Sequence, residues 1–259
     1  MDHYPLLTQY EITLSSDQSA PRSEWAYRLY AALLENAPSE FGTLVHQNTV
    51  VPVSQFFVPK AGMWCWTVNL LGEDCTRVLS PCLEGERAYY LDKDHACLRV
   101  EKLERHIVED VDTLFALAEK SKGNPHILRF QTPTAFKSQR RYVTLPSPWL
   151  LIQNLMNRWN GCITQCPIED EDGQGLRTLA YGLVFRQFRL ESQVYHLKGN
   201  GIPGFVGELT VENKLQGFHQ QLADALLLFA AYSGVGIKTA LGMGGIEAVQ
   251  SVGCSSNHM

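Results

Sequence analysis

Polar and apolar residues alternate over Tyr10-Glu11-Ile12-Thr13-Leu14-Ser15, and the period of two predicts a strand with one buried face. Beyond Asp17-Gln18-Ser19-Ala20-Pro21 the period changes. Trp25, Leu29 and Leu33 recur every four residues behind Ser23, a good N-cap, so 24–35 reads as a helix closed by Asn36-Ala37-Pro38. Residues 53–59 and 63–71 are rich in Val, Phe and Trp and read as two strands around the Pro59-Lys60-Ala61-Gly62 turn. A short helix near 73–82 and a strand near 97–107 complete the order β-α-β-β-α-β, the ferredoxin-like unit.

The second half repeats this order with more decoration. Residues 109–120 read as a helix, and Ser121-Lys122-Gly123-Asn124-Pro125 as a junction. An extended stretch at 127–131 precedes a helix over 147–159, with Pro148 near its start where proline is tolerated. A hairpin of 178–190 with 192–197, a strand at 205–211 and a long helix over 215–231 follow. In that helix Leu215, Phe218, Leu222, Leu226 and Phe229 form an apolar stripe. The last strand falls at 245–249. The pattern thus predicts an α+β chain of tandem ferredoxin-like domains, at 1–122 and 123–259.

Composition narrows the classes. Of 259 residues, 45 % are hydrophobic and 19 % charged, enough for a core and too apolar for a disordered chain. No run of 18 apolar residues exists, which excludes a helical membrane span. The N-terminus lacks a basic segment followed by an apolar one, so no signal peptide is expected. Seven cysteines without a pairing framework point to a reducing compartment, the cytoplasm. Cys162-x-x-x-Cys166 has no second pair beside it to complete a zinc site, so no metal is expected.

Charge is uneven. The net charge of −5 combines a first half (1–119) with 9 Lys/Arg against 18 Asp/Glu and a second half with 13 against 9. From Lys120 to Ile168 there are Lys120, Lys122, Arg129, Lys137, Arg140, Arg141 and Arg158 and no acidic residue. Such a stretch in an acidic protein suits either a solvated face or a docking surface for an anionic partner.

The most unusual segment, Ser233-Gly234-Val235-Gly236-Ile237-Lys238-Thr239-Ala240-Leu241-Gly242-Met243-Gly244-Gly245, holds five glycines in twelve positions around one lysine. A Walker A loop needs Gly directly before Lys, and here Ile237 stands there. A dinucleotide loop follows a strand, and this one follows a helix. An ordinary reading is a helix C-cap with a loop behind it.

Together with three other segments this loop resembles a known family. The others are Gln131-Thr132-Pro133-Thr134-Ala135-Phe136-Lys137, Leu145-Pro146-Ser147-Pro148 before a helix ending in Trp159, and Gly204-Phe205-Val206-Gly207-Glu208-Leu209-Thr210. In kind and order they are similar to the CRISPR repeat-processing endoribonucleases of the repeat-associated RNA-binding protein superfamily, over most of 127–250. The resemblance implies two ferredoxin-like domains and a cofactor-free, metal-independent cut in the repeat of a CRISPR precursor RNA. The ribose 2′-OH would attack its own 3′ phosphate and leave a 2′,3′-cyclic phosphate and a 5′-OH. An alternative is a non-catalytic subunit that holds the repeat-derived end of a guide RNA in a CRISPR effector complex.

The resemblance also implies site residues. The family's catalytic histidine follows the first helix, and His46 holds that place in Gly42-Thr43-Leu44-Val45-His46-Gln47-Asn48, read as an accessible loop; the alternative is a surface histidine without a role. Tyr30, or Tyr27 on another face of the same helix, is the assisting tyrosine unless it is a core aromatic. Lys60 is the candidate cation, with Arg28 as a substitute. RNA would be held by Lys137, Arg140, Arg141 and Lys238 and by the backbone amides of the glycine loop (Gly234, Gly236, Gly242, Gly244 and Gly245).

Overall fold

The computed structural model describes residues 3–16, 21–47 and 50–250. Two antiparallel sheets organise it. In the first half β1 (Leu7–Ser16), β2 (Val53–Lys60), β3 (Met63–Leu71), β4 (Ala88–Leu91) and β5 (Ala96–Val108) lie in the order β2-β3-β1-β5-β4. α1 (Trp25–Asn36) and α3 (Glu73–Gly85) cover one face, with α2 (Ser39–Gln47) beside α3. The alternation read in β1 sets this face: Tyr10, Ile12 and Leu14 are buried with Trp25, Leu29 and Leu33 of α1. Without β4, an added edge strand, the order is the ferredoxin-like one.

α4 (Val111–Ser121) leads to the second half. Its N-cap is Asp110, whose carboxylate accepts the Thr113 N–H at 2.7 Å. β6 (His126–Thr134), β9 (Leu183–Leu197), β10 (Asn200–Asn213) and β11 (Ile246–Gln250) form the sheet β11-β6-β10-β9. α5 (Pro148–Cys162) and α7 (Gly217–Ser233) supply its core, and α6 (Gln174–Gly182) precedes β9. Ser147 caps α5 by accepting the Leu150 N–H at 3.2 Å. Leu114 and Ala118 of α4 are buried in this second core, so α4 packs with the half that follows it although it precedes residue 122.

Three local expectations change. The segment ending at His46 is helix α2, not a loop: Phe41, Leu44 and Val45 face the first core at i, i+3, i+4 despite Gly42 and Thr43. The second hairpin turns at Lys198-Gly199, because β9 and β10 pair from Leu197 opposite Asn200; residues 178–182, the start of the expected first strand, belong to helix α6. A small hairpin, β7 (Phe136–Ser138) and β8 (Arg141–Val143), stands between β6 and α5. Its two turn residues, Gln139 and Arg140, both have positive φ, 49° and 64°, the geometry of a type I′ turn.

The halves meet along β2 and α7. Ser54 Oγ donates to the Tyr232 carbonyl at 2.6 Å, and Gln55 Nε2 to the Ala240 carbonyl at 3.1 Å. Gln55 Oε1 in turn accepts the buried Trp66 indole N–H at 2.8 Å.

Candidate nucleic-acid interface and the surroundings of His46

The glycine loop starts where α7 ends, and it is buried. All five glycines are covered by protein; Lys238 alone among residues 233–246 is exposed. Four of the five amides already have acceptors: Gly234 N–H donates to the Ala230 carbonyl (3.0 Å), Gly236 to Asn154 Oδ1 (2.7 Å), Gly244 to the Pro133 carbonyl (3.1 Å) and Gly245 to Thr132 Oγ1 (2.9 Å). These four N–H groups are engaged in the interior, and an N–H so engaged has no second bond to give a phosphate. The glycines serve close packing instead. Gly236 has φ +88°, and a Cβ there would lie 2.3 Å from the Ala135 carbonyl oxygen; at Gly245 it would lie 2.4 Å from the Phe56 ring of the other half.

What the loop builds is a small third core of Ala135, Tyr195, Leu197, Ile202 and Met243, with Tyr27, Ile237 and Leu241 packed on it. Tyr195 Oη donates to the Leu241 carbonyl at 2.8 Å, and Ile237 N–H to the Ala135 carbonyl at 2.9 Å. Three chain segments reach this core, and each exposes a cation beside its buried residue. Lys137 follows Ala135 by two positions, Lys198 follows Leu197, and Lys238 follows Ile237. Arg140 and Arg141 extend the rim along the β7–β8 hairpin, next to half-exposed Tyr142. None of these five cations has an ion-pair partner among the described residues, whereas Arg28, Lys60, Arg77, Lys102, Arg105, Lys122, Arg129, Arg186 and Lys214 do.

Lys198 is a residue the sequence reading missed. It sits at the tip of the β9–β10 hairpin with φ 51°, and its ammonium lies 4.9 Å from the centroid of the Tyr27 ring of α1. The misplaced turn hid it. The cue was the Lys198-Gly199-Asn200-Gly201 run, a turn signal between two apolar stretches.

His46 is exposed in the last turn of α2. α2 is tied to α3 by Arg77, whose Nη2 donates to Glu40 Oε1 at 2.6 Å. Leu44, two residues before His46, shares a cavity of about 310 Å³ with Gly72, Cys75, Cys162 and Thr164. α5 links this place to the glycine loop: Asn154 binds Gly236, and Cys162 lies eight residues on, about 12 Å along the helix axis. His46 is thus exposed at the end of α2, and α5 runs between the cavity beside that helix and the glycine loop.

The other two catalytic candidates lie in the same half. Tyr30 is buried in the first core among Leu29, Leu33 and Trp25, and burial raises its phenol well above the usual range. Lys60 ends β2, at the opposite end from the segment that enters from α2, about 23 Å from Val53 along the strand. Its ammonium donates to Glu11 Oε2 at 2.7 Å, a bond that raises its pKa, and it lines a separate cleft of about 470 Å³ with His106, Gln131 and Glu247. Lys60 is thus held at the far end of β2 from α2, whereas Tyr30 feels the Cys75 thiol, which lines the cavity that Leu44 also lines. Arg28 is paired with Asp94. Among the described residues no three His, Cys, Asp or Glu side chains group as a metal site.

Two ferredoxin-like units in tandem, with a rim of exposed cations at their joint, define the class of fold. Comparison with known proteins narrows this. Residues 128–246 match the family model described as CRISPR-associated endoribonuclease Cas6. A Streptococcus thermophilus protein of that name is 31 % identical over 230 residues, covering 88 % of this chain and 92 % of the relative; one from Mycobacterium tuberculosis is 25 % identical over 248 residues, covering 93 % and 78 %. The fold matches a solved Cas6 product complex with a TM-score of 0.72 at 23 % identity, over 95 % of this chain and 100 % of the other. The chain belongs to the Cas6 family of CRISPR-associated endoribonucleases.

Proposed function

We propose that this chain cuts CRISPR precursor RNA within the repeat, without a metal, and that His46 moves a proton in the cut. The division of labour follows the two halves: residues 1–122 bring His46, and residues 123–259 bring the rim of Lys137, Arg140, Arg141, Lys198 and Lys238. The observation that carries this reading is the gathering of five cations without ion-pair partners among the described residues around the third core, and the exposure of His46 supports it. Those cations attract the repeat backbone, and Tyr142 offers a ring for a base.

The reaction needs the ribose 2′-OH in line with the bond from phosphorus to the 5′ oxygen. As that 2′ oxygen attacks, its proton leaves, negative charge grows on the phosphate, and the 5′ oxygen takes up a proton as it departs. An imidazole suits either transfer near neutral pH, and each is worth roughly 10²–10⁴-fold. A rim ammonium or guanidinium steadies the charge. With Tyr30 buried and Lys60 engaged by Glu11, the proton-transfer proposal rests on His46 alone. Cys65, Cys75, Cys82, Cys162 and Cys166 stand as thiols, which suits a reducing compartment, and we assign the protein to the cytoplasm on that ground.

The test is the chemistry of the ends. In EDTA, cognate repeat RNA is expected to yield a 2′,3′-cyclic phosphate and a 5′-OH, and RNA with 2′-deoxyribose at the cut position is expected to bind and stay whole. Cleavage of the deoxy substrate, or products with 3′-OH and 5′-phosphate, would overturn the proposal.

A further inference from the structure

The helices of the second half enclose a groove that plays no part in the proposed cut. It has a volume of about 410 Å³ and is lined by Phe115 of α4, Met156 and Trp159 of α5, Leu179 of α6, and Phe218 and Leu222 of α7. Phe218 belongs to the apolar stripe read in the sequence of α7. Leu222, Leu226 and Phe229 of that stripe are buried, whereas Phe218 is 64 % exposed. A large aromatic side chain left open beside an apolar hollow marks a surface that another molecule covers.

The wall that follows α5 is fixed before anything binds. Trp159 Nε1 donates to the Cys166 carbonyl at 2.7 Å. Asn160 holds Ile168 from both sides: its Nδ2 donates to the carbonyl at 2.9 Å, and its Oδ1 accepts the N–H at 2.7 Å. Asp170 accepts the Gly175 and Leu176 N–H groups at 2.7 and 2.9 Å. A wall ordered in advance loses little entropy when it is covered. The groove is also acidic, within a half that is basic overall. Asp112 and Glu169 are exposed on its rim beside Asp170, and Glu171 and Asp172 continue the run. None of these five has an ion-pair partner among the described residues. Among the described residues that line the groove, His219 is the one basic side chain.

We propose that this groove docks a basic amphipathic helix of another protein, with apolar side chains laid over Phe218 and Lys or Arg side chains against Asp112 and Glu169. The groove is walled largely by helices, whose N–H and C=O groups are bonded within themselves, so it offers no edge to an extended strand. A helix with one apolar face meets it through side chains alone. The same charge turns RNA away, because phosphates would face carboxylates. α7 separates the two surfaces. Phe218 lies in its first turn, and Ser233, where the glycine loop begins, lies about 22 Å further along the axis, so a docked helix leaves the cationic rim free for RNA.

The probe is a synthetic peptide of Leu and Lys, about 18 residues long, with its Leu on one helical face, added to the full chain at physiological salt. Cys166 lines the groove and is exposed, so its alkylation by N-ethylmaleimide, read by mass spectrometry, reports occupancy at this place. The peptide is expected to slow that alkylation. A peptide with Glu in place of Lys, and one of the same composition without an apolar face, are expected to leave it unchanged. Phe218→Ser and Glu169→Lys are each expected to raise the peptide concentration needed for protection roughly tenfold. Both side chains are exposed and neither belongs to the cationic rim, so melting temperature and cleavage of repeat RNA should stay as in the wild type. Protection by all three peptides, by none, or equally in the wild type and both variants would overturn the proposal. Protection of Cys166 by repeat RNA would assign the groove to RNA and overturn it as well.

Discussion

Asn154 grips Gly236 from both sides: its Oδ1 accepts the Gly236 N–H at 2.7 Å, and its Nδ2 donates to the Gly236 carbonyl at 3.4 Å. One side chain on α5 thereby does for the loop what a strand partner would do, and fixes the segment that carries Lys238. Asn154→Ala leaves a buried N–H unpaired and is expected to cost about 1–3 kcal/mol of stability. Asn154→Asp keeps the shorter bond and should cost less. Denaturant unfolding of the two variants checks the order; equal loss in both would contradict it.

The glycines are expected to report on folding before they report on RNA. A Cβ at Gly244, with φ +67°, would lie 2.0 Å from the Val235 carbonyl oxygen, whereas Gly199 at the hairpin tip has nothing within 4 Å. Gly244→Ala should lower the melting temperature by several degrees, on the order of 2 kcal/mol or more. Gly199→Ala keeps the positive φ but meets no atom, and should cost less. Thermal melts of the free protein decide this.

The cationic rim makes a prediction of the opposite kind. Lys137→Ala, Arg140→Ala, Lys198→Ala and Lys238→Ala remove exposed charges without ion-pair partners among the described residues, so melting temperatures should hardly move. Repeat RNA should bind more weakly in each. The slope of log affinity against log salt should fall by roughly 0.7–0.9 for every phosphate that is no longer neutralised. Titrations at several salt concentrations measure this, and an unchanged slope in all four variants would place the RNA elsewhere.

Stability should also decline at high pH, for a reason that lies in the cores. Tyr10, Tyr30, Tyr89 and Tyr195 are buried, and burial raises each phenol above its usual value of 10.0. In the unfolded chain these groups ionise near pH 10.0; in the fold they keep their protons higher. Stability is therefore complete below about pH 10 and is lost as pH rises above it. Urea unfolding at about pH 8 and about pH 11, with phenolate absorbance followed alongside, should show a lower midpoint at the higher pH and ionisation coincident with unfolding.

The fold is largely legible in the sequence because its elements carry their own periodicity. Alternation in β1 and the four-residue spacing of Trp25, Leu29 and Leu33 are consequences of one buried face, and both survive in the structure. Where burial is thin the pattern fails. Residues 186–194 form an edge strand exposed on both faces, so its period says little and sets the hairpin turn too early. α2 shows only a short apolar stripe, interrupted by Gly42 and Thr43. Composition reveals the glycine loop, but not its purpose. That four amides point inward depends on partners such as Asn154, Pro133 and Thr132, about 80 to 110 residues away along the chain. Lys60 looks available in its turn and is held by Glu11 of β1, two strands away in the sheet.

The central claim is that His46 moves a proton in the cut. Cleavage of cognate repeat RNA by the wild type and by His46→Ala, with binding measured on the same samples, tests it most directly. His46 is exposed, so the variant should fold and bind as the wild type does. Its cleavage rate is expected to fall roughly 10²–10⁴-fold at unchanged affinity. A variant that binds and cuts at the wild-type rate would contradict the account.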